Sequence, residues 1–273
     1  MEQVRTRQKV ARYARHVENA YRRANRAVEA IIGEVGTTDG VPRSNVIVMS
    51  DHGFLPFDTA VSANNLLQAA LVSGGFSASL LNSGVAIRTS GPAANIYINL
   101  KGRQSGGTVD AATYQSLVSA IADYLRQVTD SNSLYNRSAR KLFRNLSVRP
   151  SNCGQPGFCT DEFVGQDSGD IFAIMDEGYN FDGTQSPGVP RLGDPPYDPA
   201  ASIFSLPNFY GAHGYDPKLY QMSASFYAAG PDIRGGVVVP RMRNVDVAPT
   251  ILKILGVKSD QTVDGAALSD ILK

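Results

Sequence analysis

The stretch NVIVMSDHGFLPF, residues 45–57, decides how the chain is read. Val46 to Ser50 form an apolar run rich in β-branched side chains. Such a run predicts a buried strand of a parallel sheet covered by helices. Asp51 and His52 follow at once, then Gly53. In open parallel sheets, ligands gather beyond the carboxyl ends of the strands. Neighbouring side chains on a strand point apart, but at a bend that glycine permits they converge. A carboxylate beside an imidazole suits Zn2+ or another borderline divalent ion better than Ca2+. The plainer reading leaves Asp51 accepting backbone N–H groups in a turn, with His52 half exposed.

Working outward, the chain has only three histidines. His16 falls inside a helical pattern, one step off its apolar stripe, and reads as a surface residue. His52 in SDHGF and His213 in GAHGY each precede a glycine and lie outside helix interiors. His213 stands at the exit of a long loop, from which it can close on the ligands at Asp51 and His52. A serine nucleophile needs a strained elbow such as GxSxG, which is absent, as is a GxxxxGK[ST] phosphate loop. KGRQSGG, residues 101–107, reads as a hairpin or loop, with Lys101 or Arg103 open to a substrate-facing role.

The 273 residues, 42% hydrophobic, suffice for one sizeable core, and residues 1–273 are read as a single domain. Net charge is +1, and the eight Arg or Lys of the first 35 residues are mixed with four Asp or Glu. Neither feature points to nucleic acid. No apolar stretch is long enough for a membrane span. Val10, Ala14, Val17, Tyr21, Ala24, Val28 and Ile31 recur three and four apart, predicting a helix over 8–35 with one buried face. Further helices are expected at 62–72, 107–128, 133–144 and 245–256. Strands are expected at 85–90, 95–100, DIFAIM (170–175) and GGVVV (235–239). The 85–90 and 95–100 segments alternate like a half-buried or antiparallel pair. Residues 150–212 are irregular and crowded with Gly, Pro, Asp and Asn, as segments that serve or cover a site often are. Tyr179, Phe181, Phe209 and Tyr210 either pack this region or stack on a ligand, and Arg88 and Arg191 either face phosphate or sit at the surface. Cys153 and Cys159 fit a small loop disulfide or two thiols, and their spacing is no zinc knuckle. NRS and NLS match glycosylation sequons.

Taken together, VIVMSDHGF, NIYINLKGRQSGGTV, GYNFDG, NFYGAHGYDP and NVDVAPTILKILGV stand in an order that resembles the type I phosphodiesterase/nucleotide pyrophosphatase family of the alkaline phosphatase superfamily. The resemblance runs from about residue 15 to the end. It implies an α/β sandwich with a mainly parallel central sheet flanked by helices. It also implies two divalent metal ions, usually Zn2+, and hydrolysis of small-molecule phosphodiesters or pyrophosphates through a Thr or Ser phospho-enzyme. Asp51 and His52 inherit ligand roles to one metal and His213 to the other. The family's nucleophile, its first aspartate and a DxxGH-like motif find no match, so no catalytic residue is assigned. The resemblance therefore implies a C-terminal half lacking N-terminal strands, with partial or no metal occupancy. Such a half would await an N-terminal segment or complementary chain, or be an inactive fragment or interaction module that retains family motifs. Other ligands, such as Asp39, Asp58 or Asp216, are the remaining alternative. Exported relatives tilt the compartment toward extracytoplasmic.

Overall fold

The computed structural model describes residues 2–150, 168–259 and 261–273. Its helices are α1 (Glu2–Val35), α2 (Ala63–Ser73), α3 (Ala111–Gln127) and α4 (Val247–Ile254). The strands used below are, in chain order, β1 (Val46–Met49), β2 (Leu55–Val61), β3 (Val85–Ser90), β4 (Ala93–Ile98) and β5 (Phe143–Val148). Then come β6 (Ile171–Met175), β7 (Gly178–Asn180), β8 (Phe204–Ser205), β9 (Gly211–Ala212) and β10 (Phe226–Ala229). The chain divides into two compact units, one of residues 1–51 and 224–273, the other of residues 52–223.

In the larger unit, β3, β4, β6 and β5 form an antiparallel sheet in that order. The hairpin at Ser90-Gly91-Pro92 joins β3 to β4, with Val85 opposite Ile98 and Ser90 opposite Ala93. Alternation along β4 buries Ala94, Ile96 and Ile98, the period-two pattern of a sheet with one face on the core. Leu66, Leu67 and Leu71 of α2 and Leu117, Ile121 and Leu125 of α3 join those residues in the main core. Ser62 caps α2 by accepting from Asn65 N, and Gly74 ends it by donating to Ala70 O at 3.1 Å. A second small sheet is built on β2, which pairs in parallel with β7 and antiparallel with β8 and β9.

Three buried clusters of charge tie this unit together. Arg191, 1% exposed in its side chain, donates to both oxygens of Asp130 and both of Asp194. Burial pushes the Asp130 carboxyl up, but the Arg191 hydrogen bonds and the Asn132 N–H outweigh it and hold it below the usual range. Asp170 accepts from Arg103, Tyr114 Oη and Ile98 N, and these partners outweigh burial in the same direction. For Asp216 the Lys218 N–H, the Asn145 amide and Arg144 do so.

In the smaller unit, β1 pairs antiparallel with β10, Val46 opposite Ala229 and Met49 opposite Phe226. Ile233, Ile271 and Leu272 form its buried core, with Phe226 and Ile254 against them. Helix α1 ends at Gly36, whose positive φ of 74° and N–H to Ile32 O complete a left-handed cap. Arg43 Nε covers the Val35 carbonyl at 3.1 Å. Asp39 and Gly40, both at positive φ, turn a two-residue hairpin between Thr37–Thr38 and Val41–Pro42.

The expected mainly parallel central sheet is not what forms. Among the described residues the fold is α/β, with several small, mostly antiparallel sheets flanked by helices, and β2–β7 is the parallel pair of named strands. The 46–50 run misled because an apolar run does not say what lies on each side of it. Val46, Ile47 and Val48 are half-buried in a two-stranded ribbon. The helix expected at 133–144 is instead one 3-10 turn, Ser133–Tyr135, followed by the start of β5. GGVVV is irregular. The stripe expected to be buried on α1 is exposed over much of its length, with Val17, Tyr21 and Ile31 all more than half accessible, whereas Val28 is half-buried. Cys153 and Cys159 lie outside the described residues.

Candidate functional site

The site is built at the N-terminal end of strand β2. Just before it, Gly53 N donates to Met222 O at 2.9 Å and Phe54 N to Gln221 O at 3.1 Å. A side chain at Gly53 would collide with the Gln221 carbonyl, which is why glycine follows the histidine here. Alongside β2, β9 pairs Ala212 with Leu55 and Gly211 with Pro56, and delivers His213 next to His52.

The outcome is a stacked pair of imidazoles, ring centroids 3.9 Å apart and planes 12° apart. Phe54 leans on the His213 ring at 6.4 Å. His52 Nδ1 lies 2.8 Å from the Gly53 carbonyl. A carbonyl only accepts, so Nδ1 carries the proton and Nε2 keeps its lone pair. Behind His213, Tyr215 Oη donates to Tyr179 O at 2.9 Å, and burial pushes the Tyr215 phenol up to about 12. Gly91 (φ 58°) approaches so closely that a Cβ there would sit 2.9 Å from His213 O. Asp182 anchors the Gly91 turn by accepting its N–H at 2.8 Å. A cleft of about 340 Å³ opens here, lined by Phe54, Ser90, Asn180, Asp182, Phe209 and His213 among others.

Asp51 belongs to the other unit, where its backbone carbonyl accepts from Asn244 Nδ2 at 2.7 Å. His16 is exposed on α1. The alternative ligands have other attachments. Asp58 accepts from Arg137 at 2.9 Å, Asp216 from Asn145 at 2.6 Å, and Asp39 sits exposed in its hairpin turn. Lys101 pairs with Asp110 and Arg103 with Asp170. Tyr179 and Phe181 pack in the core, whereas Phe209 and Tyr210 are exposed. Arg191 is at neither a phosphate nor the surface but in the buried Asp130 cluster, which sequence reasoning missed. Asp130 and Arg191 are 61 residues apart, and no motif links them.

An imidazole lone pair lies in the ring plane. Two planes inclined by 12° and stacked at 3.9 Å meet many ring-widths away, so one ion cannot bind both rings as they stand. Structural zinc takes four protein donors and catalytic zinc usually three. Among the described residues no group of three or more His, Cys, Asp or Glu is placed to hold a metal ion. The donors on hand therefore do not fit a complete zinc site. No helix of the described residues is long and apolar enough to cross a membrane.

The geometry at this point is a pair of imidazoles beside a cleft on an α/β scaffold. The sequence matches the type I phosphodiesterase/nucleotide pyrophosphatase family over residues 5–216, and the chain belongs to that family. The matched region is the N-terminal and central part of this chain, not a C-terminal half. It begins inside α1, and NVDVAPTILKILGV lies beyond it. No curated protein sequence matches the chain. Among solved structures, murine ectonucleotide pyrophosphatase/phosphodiesterase 5 is similar at 17% identity and a TM-score of 0.48, covering 84% of this chain and 45% of its own. The human counterpart is similar at 18% identity and a TM-score of 0.45, with the same coverage. The chain thus spans less than half the length of these relatives.

Proposed function

We propose that this chain is a phosphodiesterase-family module that does not by itself hydrolyse phosphoesters. The stacking of His52 on His213 carries this reading, since rings so placed cannot both bond one ion, and among the described residues no group of three or more His, Cys, Asp or Glu is placed to hold a metal. The retained motifs then serve recognition. The cleft beside His213 offers Phe54 and Phe209 as apolar walls, and a small-molecule phosphoester is the ligand class that the family suggests.

One observation favours a second reading. The fold brings together two glycine-flanked histidines 161 positions apart in sequence, which surface histidines have no reason to do. Under this reading His52 would bond one divalent ion and His213 another, once further donors join them. The ions would supply Lewis acidity for a two-metal phosphodiester hydrolysis through a Thr or Ser phospho-enzyme. With His52 Nδ1–H committed to Gly53 O, Nε2 is the nitrogen through which His52 would make such a bond.

Zinc titration by calorimetry, with bis-(p-nitrophenyl) phosphate as reporter, separates the two. The module reading expects weak zinc uptake and no turnover above the metal-only blank. Zinc-dependent turnover that disappears in His213→Ala would overturn it in favour of the hydrolase.

A further inference from the structure

The cleft beside His213 lies wholly within the larger unit and contains a polar group without a partner. Asn180, the last residue of β7, is fully buried and lines it. Its Oδ1 accepts the Asp182 N–H at 2.7 Å, which fixes the amide and makes the other atom Nδ2, a donor. Nδ2 has no hydrogen-bond partner among the described residues. Burial raises the Tyr215 phenol and this amide, close by, tempers the rise, yet Tyr215 gives its proton to Tyr179 O and no hydrogen bond joins it to Nδ2. Gly91 also lines the cleft, and a Cβ there would stand 3.9 Å from Nδ2. A buried donor left unpaired is costly, and an acceptor entering the cleft would relieve it.

The rest of the lining selects the kind of acceptor. Among the described residues that line the cleft there is one carboxylate, Asp182, and no Lys or Arg. Asp182 is exposed. Its Oδ2 takes the Gly91 N–H at 2.8 Å, and its Oδ1 meets the Thr89 hydroxyl at the long distance of 3.5 Å. A phosphate offers acceptors alone and is repelled by Asp182. An ammonium offers donors alone and leaves Asn180 unpaired. A hydroxyl both gives and takes. Phe54 and Phe209 add exposed aromatic surface, whose negative faces attract the C–H groups of a saturated ring. We propose that this cleft binds the ring of a sugar, one hydroxyl accepting from Asn180 Nδ2 and its neighbour donating to Asp182 Oδ1. This rests on the reading of the cleft as the recognition site, and it names the part of the ligand recognised there: the neutral sugar rather than the phosphate. The volume of about 340 Å³ is near the lower end for small-molecule pockets, which suits one ring rather than a chain of them.

Amide chemical shifts of the full chain, without metal, titrated separately with the methyl glycosides of glucose, galactose and mannose, test this. At least one glycoside is expected to shift the amides of residues 90–91, 180–183 and 209–214 saturably. Asp182→Asn, at an exposed position, keeps an oxygen for the Gly91 N–H and is expected to weaken that glycoside roughly tenfold or more. Asn180→Asp keeps the acceptor for the Asp182 N–H, removes the donor, and is expected to do the same. Glycosides that move none of these amides overturn the proposal, as does a glycoside that wild type and Asp182→Asn bind equally well. Inorganic phosphate or adenine that moves them where no glycoside does overturns the sugar and leaves the cleft as the recognition site. If no probe moves them, the cleft reading falls as well. With metal left out, hydrolysis enters none of these results.

Discussion

Arg191 grips Asp130 with two hydrogen bonds, Nη1 to Oδ2 at 2.6 Å and Nη2 to Oδ1 at 3.0 Å, and both side chains are almost wholly buried. Arg191 Nη1 also donates to Thr59 in β2, so the pair fixes the irregular 190s segment against the strand that supports the site. Arg191→Met leaves the Asp130 carboxylate without its bidentate partner in a buried setting. Its cost is expected at about 3–5 kcal/mol, the range for breaking a buried pair. Urea unfolding measures it as a lowered midpoint at unchanged slope. A midpoint equal to wild type would show that Arg137 and water replace Arg191 at no cost.

Acid should loosen the fold at a definite point. The carboxyls of Asp130, Asp170 and Asp216 are all held below the usual range by the partners that outweigh burial. For a depressed acid, the stabilisation is present above the unfolded pKa of about 3.9 and is lost as pH falls through the lower folded value. The melting temperature is therefore expected to hold from neutral pH to about pH 5 and to drop below about pH 4. Asp170→Asn, which removes one such titration, should be less stable at neutral pH and show a shallower acid decline. An acid decline as steep as wild type would place the lost protonation elsewhere.

Gly91→Ala tests the close approach beneath the site. The added Cβ would stand 2.9 Å from His213 O at a φ of 58° that side chains rarely adopt. A loss of about 1–3 kcal/mol is expected, with chemical-shift changes concentrated at residues 211–215. Changes spread evenly across the larger unit would argue that Gly91 supports the sheet rather than the histidine.

The histidine stack has its own spectroscopic signature. With only three histidines in the chain, the imidazole Hε1 region of a proton spectrum is simple. Face-to-face rings shield one another, so His213→Ala should move the His52 Hε1 resonance downfield and leave that of His16 unchanged. An unmoved His52 resonance would mean that the rings are not stacked in solution.

Within the core, Ile121→Ala is expected to cost about 2–5 kcal/mol. Ile121 is fully buried on α3 in the main core. Thermal unfolding followed by circular dichroism checks the figure.

Local physics made several elements legible in the sequence. The spacing of Leu117, Val118, Ile121 and Leu125 specified α3 and its buried face. Ser62 and Gly74-Gly75 bounded α2, and alternation through Ile96 and Ile98 marked β4 as half-buried. The glycine-flanked His52 and His213 stood out by residue type alone, and the order of the motifs carried the family. What the sequence left open concerned partners at long range. Whether Val46–Met49 lies in a parallel sheet or a two-stranded ribbon depends on which strand it meets, here Phe226–Ala229, some 180 residues away. The Arg191–Asp130 clamp, the near-parallel setting of His52 and His213, and the exposure of the α1 stripe likewise had no local signal. Periodicity records which face of an element is apolar. Only the tertiary structure decides what that face meets, because burial and ring orientation are properties of the assembled neighbours.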